Sequence, residues 1–113
     1  YYADAEKMVA QLKINMLKHG TSFGNWLTSA LTFIYPFAET AITGLDAEKN
    51  RDAIYKFYYP HLIIQTDTTG EKKYPLLQNR FVKDENKIYL CQNQTCKLPV
   101  SNVQDFIELL NKF

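Results

Sequence analysis

The chain has 113 residues, with 13 Lys and Arg against 12 Asp and Glu, and its formal net charge is +1. This length is typical of one domain with a buried core, and the balanced charge argues against a strongly basic nucleic-acid binder. No apolar run approaches the roughly 20 residues that a membrane helix needs. The chain begins at Tyr1 with no Met and no visible signal peptide, so we expect a cytoplasmic piece of a longer protein.

The first segment predicts an αα-hairpin over residues 1–35, with one helix over 4–19 and a second that begins at Ser22. In both helices, apolar residues recur at spacings of three and four. In the second helix, Phe33 and Tyr35 lie off the apolar stripe, so we expect an exposed apolar patch and self-association through the hairpin. The stripe itself contains Phe23, Trp26, Leu27, Ala30, Leu31 and Ile34.

The remainder, residues 38–113, predicts a small α/β domain. Its elements predict a three-stranded, mainly parallel sheet that is covered by helices. Phe57 and Tyr58 are expected in the core, and Ser101 with Gln104 predicts a capping box for the last helix. The predicted strands are 39–43, 62–65 and 87–91, and the predicted helices are 47–59 and 102–112.

The carboxyl edge of such a sheet is a candidate ligand site, because polar side chains from neighbouring strands would converge there. The candidates are Thr43, Gly44, Asp67 and Asn93. A phosphate loop at Gly44 is disfavoured because a single glycine is followed by acidic residues. We expect no cofactor and no metal, since His19 and His61 are far apart and neither has a Cys or carboxylate at metal-ligand spacing.

Cys91 and Cys96 allow three interpretations. A metal site is the weakest, because two thiolates leave a tetrahedral ion half-ligated. A redox pair requires an electropositive, partly open setting, and Cys96 next to Lys97 is the more exposed candidate. We favour a structural pair, as packed thiols or as a disulfide, although closing so short a loop stabilises the fold by only about 2–3 kcal/mol at most.

The segment KIYLCQNQTCKLPV, residues 87–100, combines a strand that ends in Cys, a C-x-N-x-x-C turn and a following Pro. This pattern resembles the C-terminus of the YyaL-like, spermatogenesis-associated-protein-20-like family. Upstream, residues 41–44 resemble the apolar strand of that family that ends in Gly, and 75–77 its proline-leucine segment. The resemblance implies a parent protein with a thioredoxin-like domain and an α/α barrel similar to six-hairpin glycosidases and sugar 2-epimerases.

In such a parent, residues 1–35 would be the last hairpin of the barrel and 38–113 an α/β cap after it. The resemblance implies carbohydrate-related or redox-related chemistry for the parent, but it places no catalytic residue in this chain. We therefore expect a non-catalytic C-terminal part whose partner is the remainder of the parent protein. The alternatives are a small-molecule binding module, with carbohydrate as one ligand class, and an enzyme part that lends a loop to a barrel active site.

Overall fold

The computed structural model describes residues 1–93 and 95–112. Two residues lie outside the described ones. They are Gln94, which belongs to the predicted turn between the cysteines, and Phe113, the last residue of the predicted α/β domain. The chain divides into two compact units, Tyr1–Pro36 and a second unit that begins at Phe37. Among the described residues, no helix combines the length and the apolar character needed to cross a bilayer.

The first unit contains three helices, α1 (Tyr2–Gln11), α2 (Lys13–Lys18) and α3 (Gly24–Ile34), with a 3₁₀ turn before α3. The prediction of one helix over 4–19 is wrong, because the chain tightens after Gln11. There the amide of Leu12 donates to the carbonyl of Val9, 3.1 Å away, before helical pairing resumes in α2.

The packing of α3 also differs from the predicted stripe. Phe33 makes an edge contact with Tyr2, with ring centroids 5.2 Å apart, and is half-buried. Leu31 and Ile34, which belong to the predicted stripe, are 43% and 67% exposed. The side of α3 that contacts α1 therefore includes Phe33, which the predicted stripe leaves out, whereas Leu31 and Ile34 remain exposed.

The second unit is a mixed α/β structure with a four-stranded sheet in the order β2-β1-β3-β4. The prediction of a three-stranded, mainly parallel sheet is wrong, because only β1 and β2 run parallel. A helix lies in the crossover from β1 to β2, as is usual between parallel strands, whereas no helix lies in the connection from β2 to β3. The strands are β1 (Ala38–Thr43), β2 (Leu62–Asp67), β3 (Lys87–Gln92) and β4 (Thr95–Cys96).

Two helices, α4 (Ala47–Ile54) and α5 (Val103–Asn111), bury one face of this sheet. The predicted helix over 47–59 ends five residues early, and the prediction that Phe57 and Tyr58 lie in the core is wrong, since they are 48% and 89% exposed. The fully buried side chains between helices and sheet include Ile42, Ile54, Ile88, Leu90 and Phe106.

The start of α5 corrects a further prediction. Its N-cap is Asn102, whose Oδ1 accepts a hydrogen bond from the amide of Asp105 at 2.9 Å. Ser101 is therefore one position too early to cap the helix, and the predicted capping box with Gln104 is absent from this described segment.

The opposite face of the sheet is covered in part by the connection 68–86. The carbonyl oxygen of Arg80 accepts hydrogen bonds from the hydroxyl of Thr43 at 3.2 Å and of Tyr89 at 3.0 Å. Leu77 from the same connection is 2% exposed. Successive side chains of a strand point to opposite faces of the sheet. The connection therefore lies over the face that points away from the core between the sheet, α4 and α5.

Candidate functional site

The predicted ligand edge is only partly assembled. Thr43 and Asp67 are register partners at the ends of the parallel strands β1 and β2, and the amide of Gly44 donates to the carbonyl of Asp67 at 3.0 Å. Asn93 follows β3, which runs antiparallel to β1 and places Lys87 opposite Thr43. Asn93 therefore lies at the other end of the sheet, and the expectation that all four residues converge is wrong.

The polar groups at this edge are occupied by the protein itself. The Asp67 side chain is 1% exposed, and its carboxylate accepts hydrogen bonds from the amides of Thr69, Gly70 and Lys72 at 3.0, 2.9 and 3.3 Å. Burial alone would raise the pKa of the Asp67 carboxyl group, but these hydrogen bonds outweigh burial and hold that pKa below its usual value. Asp67 thus organises the loop that follows β2.

Gly44 is required by a close approach of two chain segments. Its φ is +112°, and a Cβ atom there would stand 2.9 Å from Cα of Asn86 and would also collide with the carbonyl of Glu85. Asn86 holds the next turn in place, since its Oδ1 accepts from the amide of Asp46 and its Nδ2 donates to the Asp46 carboxylate, both at 3.0 Å. Gly44 therefore serves packing at this edge.

Cys91 and Cys96 form a disulfide between β3 and β4. They are directly opposite each other in the antiparallel register, with Cα atoms 3.9 Å apart. The neighbouring amide of Lys97 donates to the carbonyl of Leu90, so the two cysteines occupy a non-hydrogen-bonded pair, where strands approach closest. The environments of the two sulfur-bearing residues differ, because Cys91 is 2% exposed and Cys96 is exposed.

Arg80 from the connection 68–86 lies against this disulfide. Its Nη1 is 3.3 Å from Sγ of Cys91 and its Nη2 is 3.1 Å from Sγ of Cys96. The guanidinium also stacks on the Tyr89 ring, 5.1 Å from the centroid. Arg80 is not among the predicted site residues, because a lone arginine eleven positions before Cys91 carries no local signal.

A surface pocket of about 380 Å³ opens beside these groups. Gln65 contributes a buried Oε1 atom that has no hydrogen-bond partner among the described residues. The pocket therefore combines a guanidinium, a buried amide oxygen and a disulfide on the sheet face opposite α4 and α5. Its lining consists of Glu39, Ile63, Gln65, Pro75, Leu76, Arg80, Cys91 and Cys96.

No group of three or more His, Cys, Asp and Glu side chains is placed to hold a metal ion within residues 1–93 and 95–112. The ring of His61 makes an edge contact with Phe37, with centroids 5.4 Å apart. His19 belongs to the first unit, at the end of α2. The two histidines thus lie in different units of the chain.

The first unit carries an apolar groove of about 300 Å³ along α1 and α3. Glu6 and Lys13 are its charged lining residues, and the others are Val9, Ala10, Met16, Ala30, Phe33 and Ile34. Further large apolar side chains of this unit are exposed, among them Met8, Ile14, Leu17, Leu27 and Leu31.

Comparisons of the chain with protein-family profiles, with curated proteins and with solved structures found no match.

Proposed function

We propose that this chain is a non-catalytic, C-terminal interaction part of a larger protein related to the YyaL-like, spermatogenesis-associated-protein-20-like family. In this proposal, residues 1–35 pack against further helical hairpins of the same longer chain. The observation that carries it is the apolar surface of the first unit, where Ile14, Leu17 and Ile34 are 66%, 77% and 67% exposed.

Such a surface is unfavourable in water. Burying a Leu or Ile side chain fully is worth about 1.5–3 kcal/mol, so several exposed ones provide a substantial driving force for association. The apolar groove along α1 and α3, together with these exposed side chains, is the kind of surface that marks interfaces. Helical hairpins of a longer chain present the matching chemistry, since their own apolar stripes also require burial.

The turn motif supports the choice of family. Cys91, Asn93, Cys96 and Pro99 match the C-x-N-x-x-C turn and the following Pro of the family in order. The α/β unit that contains them follows a helical hairpin, which is the arrangement that the resemblance implies for the end of such a parent.

The direct test is hydrogen exchange on the 113-residue chain and on a longer chain that includes the coding sequence before Tyr1. We expect further helical hairpins in that added sequence and slower exchange of α3 amides in the longer chain, because packing would bury the Leu31 and Ile34 side. The proposal would be overturned by an added sequence without helical hairpins, or by α3 exchange that is the same in both chains.

The isolated chain should self-associate through the same surface. We expect the double substitution Leu31→Gln and Ile34→Gln to weaken self-association about ten- to a hundredfold, because it removes roughly 1.5–3 kcal/mol of apolar burial. Sedimentation velocity across a concentration series measures this change. The matched control is Thr28→Gln with Ser29→Gln, on another side of α3, which should leave association unchanged. Equal association of both double variants would contradict the proposed surface.

A further inference from the structure

Arg80 makes the surroundings of the disulfide more favourable to thiolates than to a neutral S–S bond. Its two terminal nitrogens lie 3.3 and 3.1 Å from the sulfurs of Cys91 and Cys96. A neutral sulfur is a weak hydrogen-bond acceptor, whereas a hydrogen bond from a guanidinium to an anion is charge-assisted and roughly twice as strong as a neutral one. A nearby cation also favours the thiolate form of a cysteine.

The guanidinium is held in place by contacts other than those with the sulfurs. The backbone carbonyl of Arg80 accepts hydrogen bonds from Thr43 and Tyr89, and the side chain stacks on the Tyr89 ring. The cation is therefore positioned before reduction, and little reorganisation is needed when negative charge develops on the sulfurs.

The unequal exposure of the two cysteines sets the direction of attack. Cys96 is exposed, and Cys91 is 2% exposed. An external thiolate can reach Sγ of Cys96, and the leaving group is then Cys91, next to Nη1 of Arg80. Both sulfur-bearing residues line the pocket of about 380 Å³, which leaves room for an incoming thiol.

A purely structural role accounts for less of this arrangement. Loop closure across six residues is worth only about 2 kcal/mol in the chain-entropy description, and β3 and β4 already pair through the backbone. Neither the exposure of Cys96 nor the guanidinium at both sulfurs is needed for that purpose.

We propose that the Cys91–Cys96 disulfide is a redox centre that is reduced by a dithiol, with Arg80 stabilising the thiolates that form. One thiolate of the dithiol attacks Sγ of Cys96, the S–S bond breaks, and its electron pair stays on Sγ of Cys91. The second thiolate of the dithiol then attacks the other sulfur of the dithiol, which is bonded to Sγ of Cys96 in the mixed disulfide. That bond breaks and Cys96 leaves. The dithiol loses two electrons and becomes a disulfide, Cys91 and Cys96 are reduced to thiolates, and the two protons of the dithiol are released to solvent.

The equilibrium test uses the folded chain in dithiothreitol redox buffers, with alkylation and mass measurement to count reduced cysteines. We expect Arg80→Gln to lower the equilibrium constant for reduction about tenfold, which corresponds to about 30 mV for a two-electron couple. Lys73→Gln removes the same charge from the exposed surface of the connection and should leave the constant within about twofold of the parent value.

Arg80→Lys provides a second variant in case Arg80→Gln does not fold. It retains the charge but lacks the fork that reaches both sulfurs, so we expect an intermediate constant. Circular dichroism checks that each variant is folded. The proposal is overturned if folded Arg80→Gln and Lys73→Gln have the same constant, or if Arg80→Lys matches the parent while Arg80→Gln cannot be measured.

A second measurement tests the direction of attack. With oxidised glutathione as the probe, the Cys91→Ser variant should form a mixed disulfide at Cys96 at least about tenfold faster than Cys96→Ser does at Cys91, because of the difference in exposure. Equal rates in the folded variants would overturn the assignment of Cys96 as the attacked sulfur.

The dithiol can be a small molecule or part of a peptide. These sources are distinguished by comparing two reduction rates. One is measured with dithiothreitol, and the other with a short peptide in which two residues separate two cysteines. A higher rate with the peptide assigns the pocket to a polypeptide dithiol, and a higher rate with dithiothreitol assigns it to a small one. Failure of both to reduce the folded chain overturns the proposal.

Discussion

Replacing Gly44 by alanine is expected to lower the free energy of unfolding of the second unit by about 3 kcal/mol or more. An L residue at φ +112° is strained, and the added Cβ would stand 2.9 Å from Cα of Asn86. The obstacle is backbone, so rotation of a side chain cannot relieve it. Urea denaturation followed by far-ultraviolet circular dichroism measures the loss.

The chain contains a matched control for this substitution. Gly24 opens α3 with φ −52°, and, its chain neighbours and the backbone of α3 apart, no atom lies within 4 Å of the position that its Cβ would take. Gly24→Ala should therefore leave the second unit unchanged and stabilise the first by about 0.5–1 kcal/mol, because alanine favours the helix and restricts the unfolded chain. A Gly44→Ala variant as stable as the parent would contradict the close approach of residues 44 and 86.

Replacing Asp67 by alanine is expected to lower the free energy of unfolding by about 3 kcal/mol. The carboxylate accepts from the amides of Thr69, Gly70 and Lys72 and also from the Thr69 hydroxyl at 3.3 Å. Hydrogen bonds to a charged group contribute about 1.5–3 kcal/mol each, and part of that is recovered when water reaches the released amides. The loss of structure should be concentrated in residues 68–72, which hydrogen exchange can resolve.

The Asp67 contribution should depend on pH in a definite direction. Because the pKa of Asp67 is lowered on folding, its stabilisation is fully present above the unfolded-state pKa of about 3.9. It is lost as the pH falls through the lower folded-state pKa. The stability difference between the parent and Asp67→Asn should therefore be constant from neutral pH to about pH 5 and shrink below about pH 4.

The control for both measurements is Glu71→Ala, which removes an exposed carboxylate from the same loop. Its effect on the free energy of unfolding should stay within about 0.5 kcal/mol, as is usual for surface positions. If Glu71→Ala and Asp67→Ala had equal effects, or if the Asp67→Asn difference grew on acidification, the proposed role of the buried carboxylate would be wrong.

Much of the local structure can be predicted from the sequence because it depends on short-range signals. The spacing of apolar residues indicates that the first unit is helical, but not the break between α1 and α2, and short β-prone runs indicate three of the strands. Pro36 marks the end of α3 for the same reason, since proline restricts the residues before it, whereas α4 ends at Ile54, well before Pro60. The pairing of Cys91 with Cys96 is also a local feature, because the two cysteines are only five positions apart.

The direction of β3 and the position of Arg80 were decided only by the tertiary structure. The connection 68–86 is long enough for either strand direction, and its path depends on contacts with distant residues: Thr43 and Tyr89 with the Arg80 carbonyl, and the disulfide with its guanidinium. An antiparallel β3 moves Asn93 away from Thr43 and brings Cys91 opposite Glu39. Sequence spacing determines which residues can share a helix or strand, whereas the choice between alternative strand pairings depends on the packing of the whole unit.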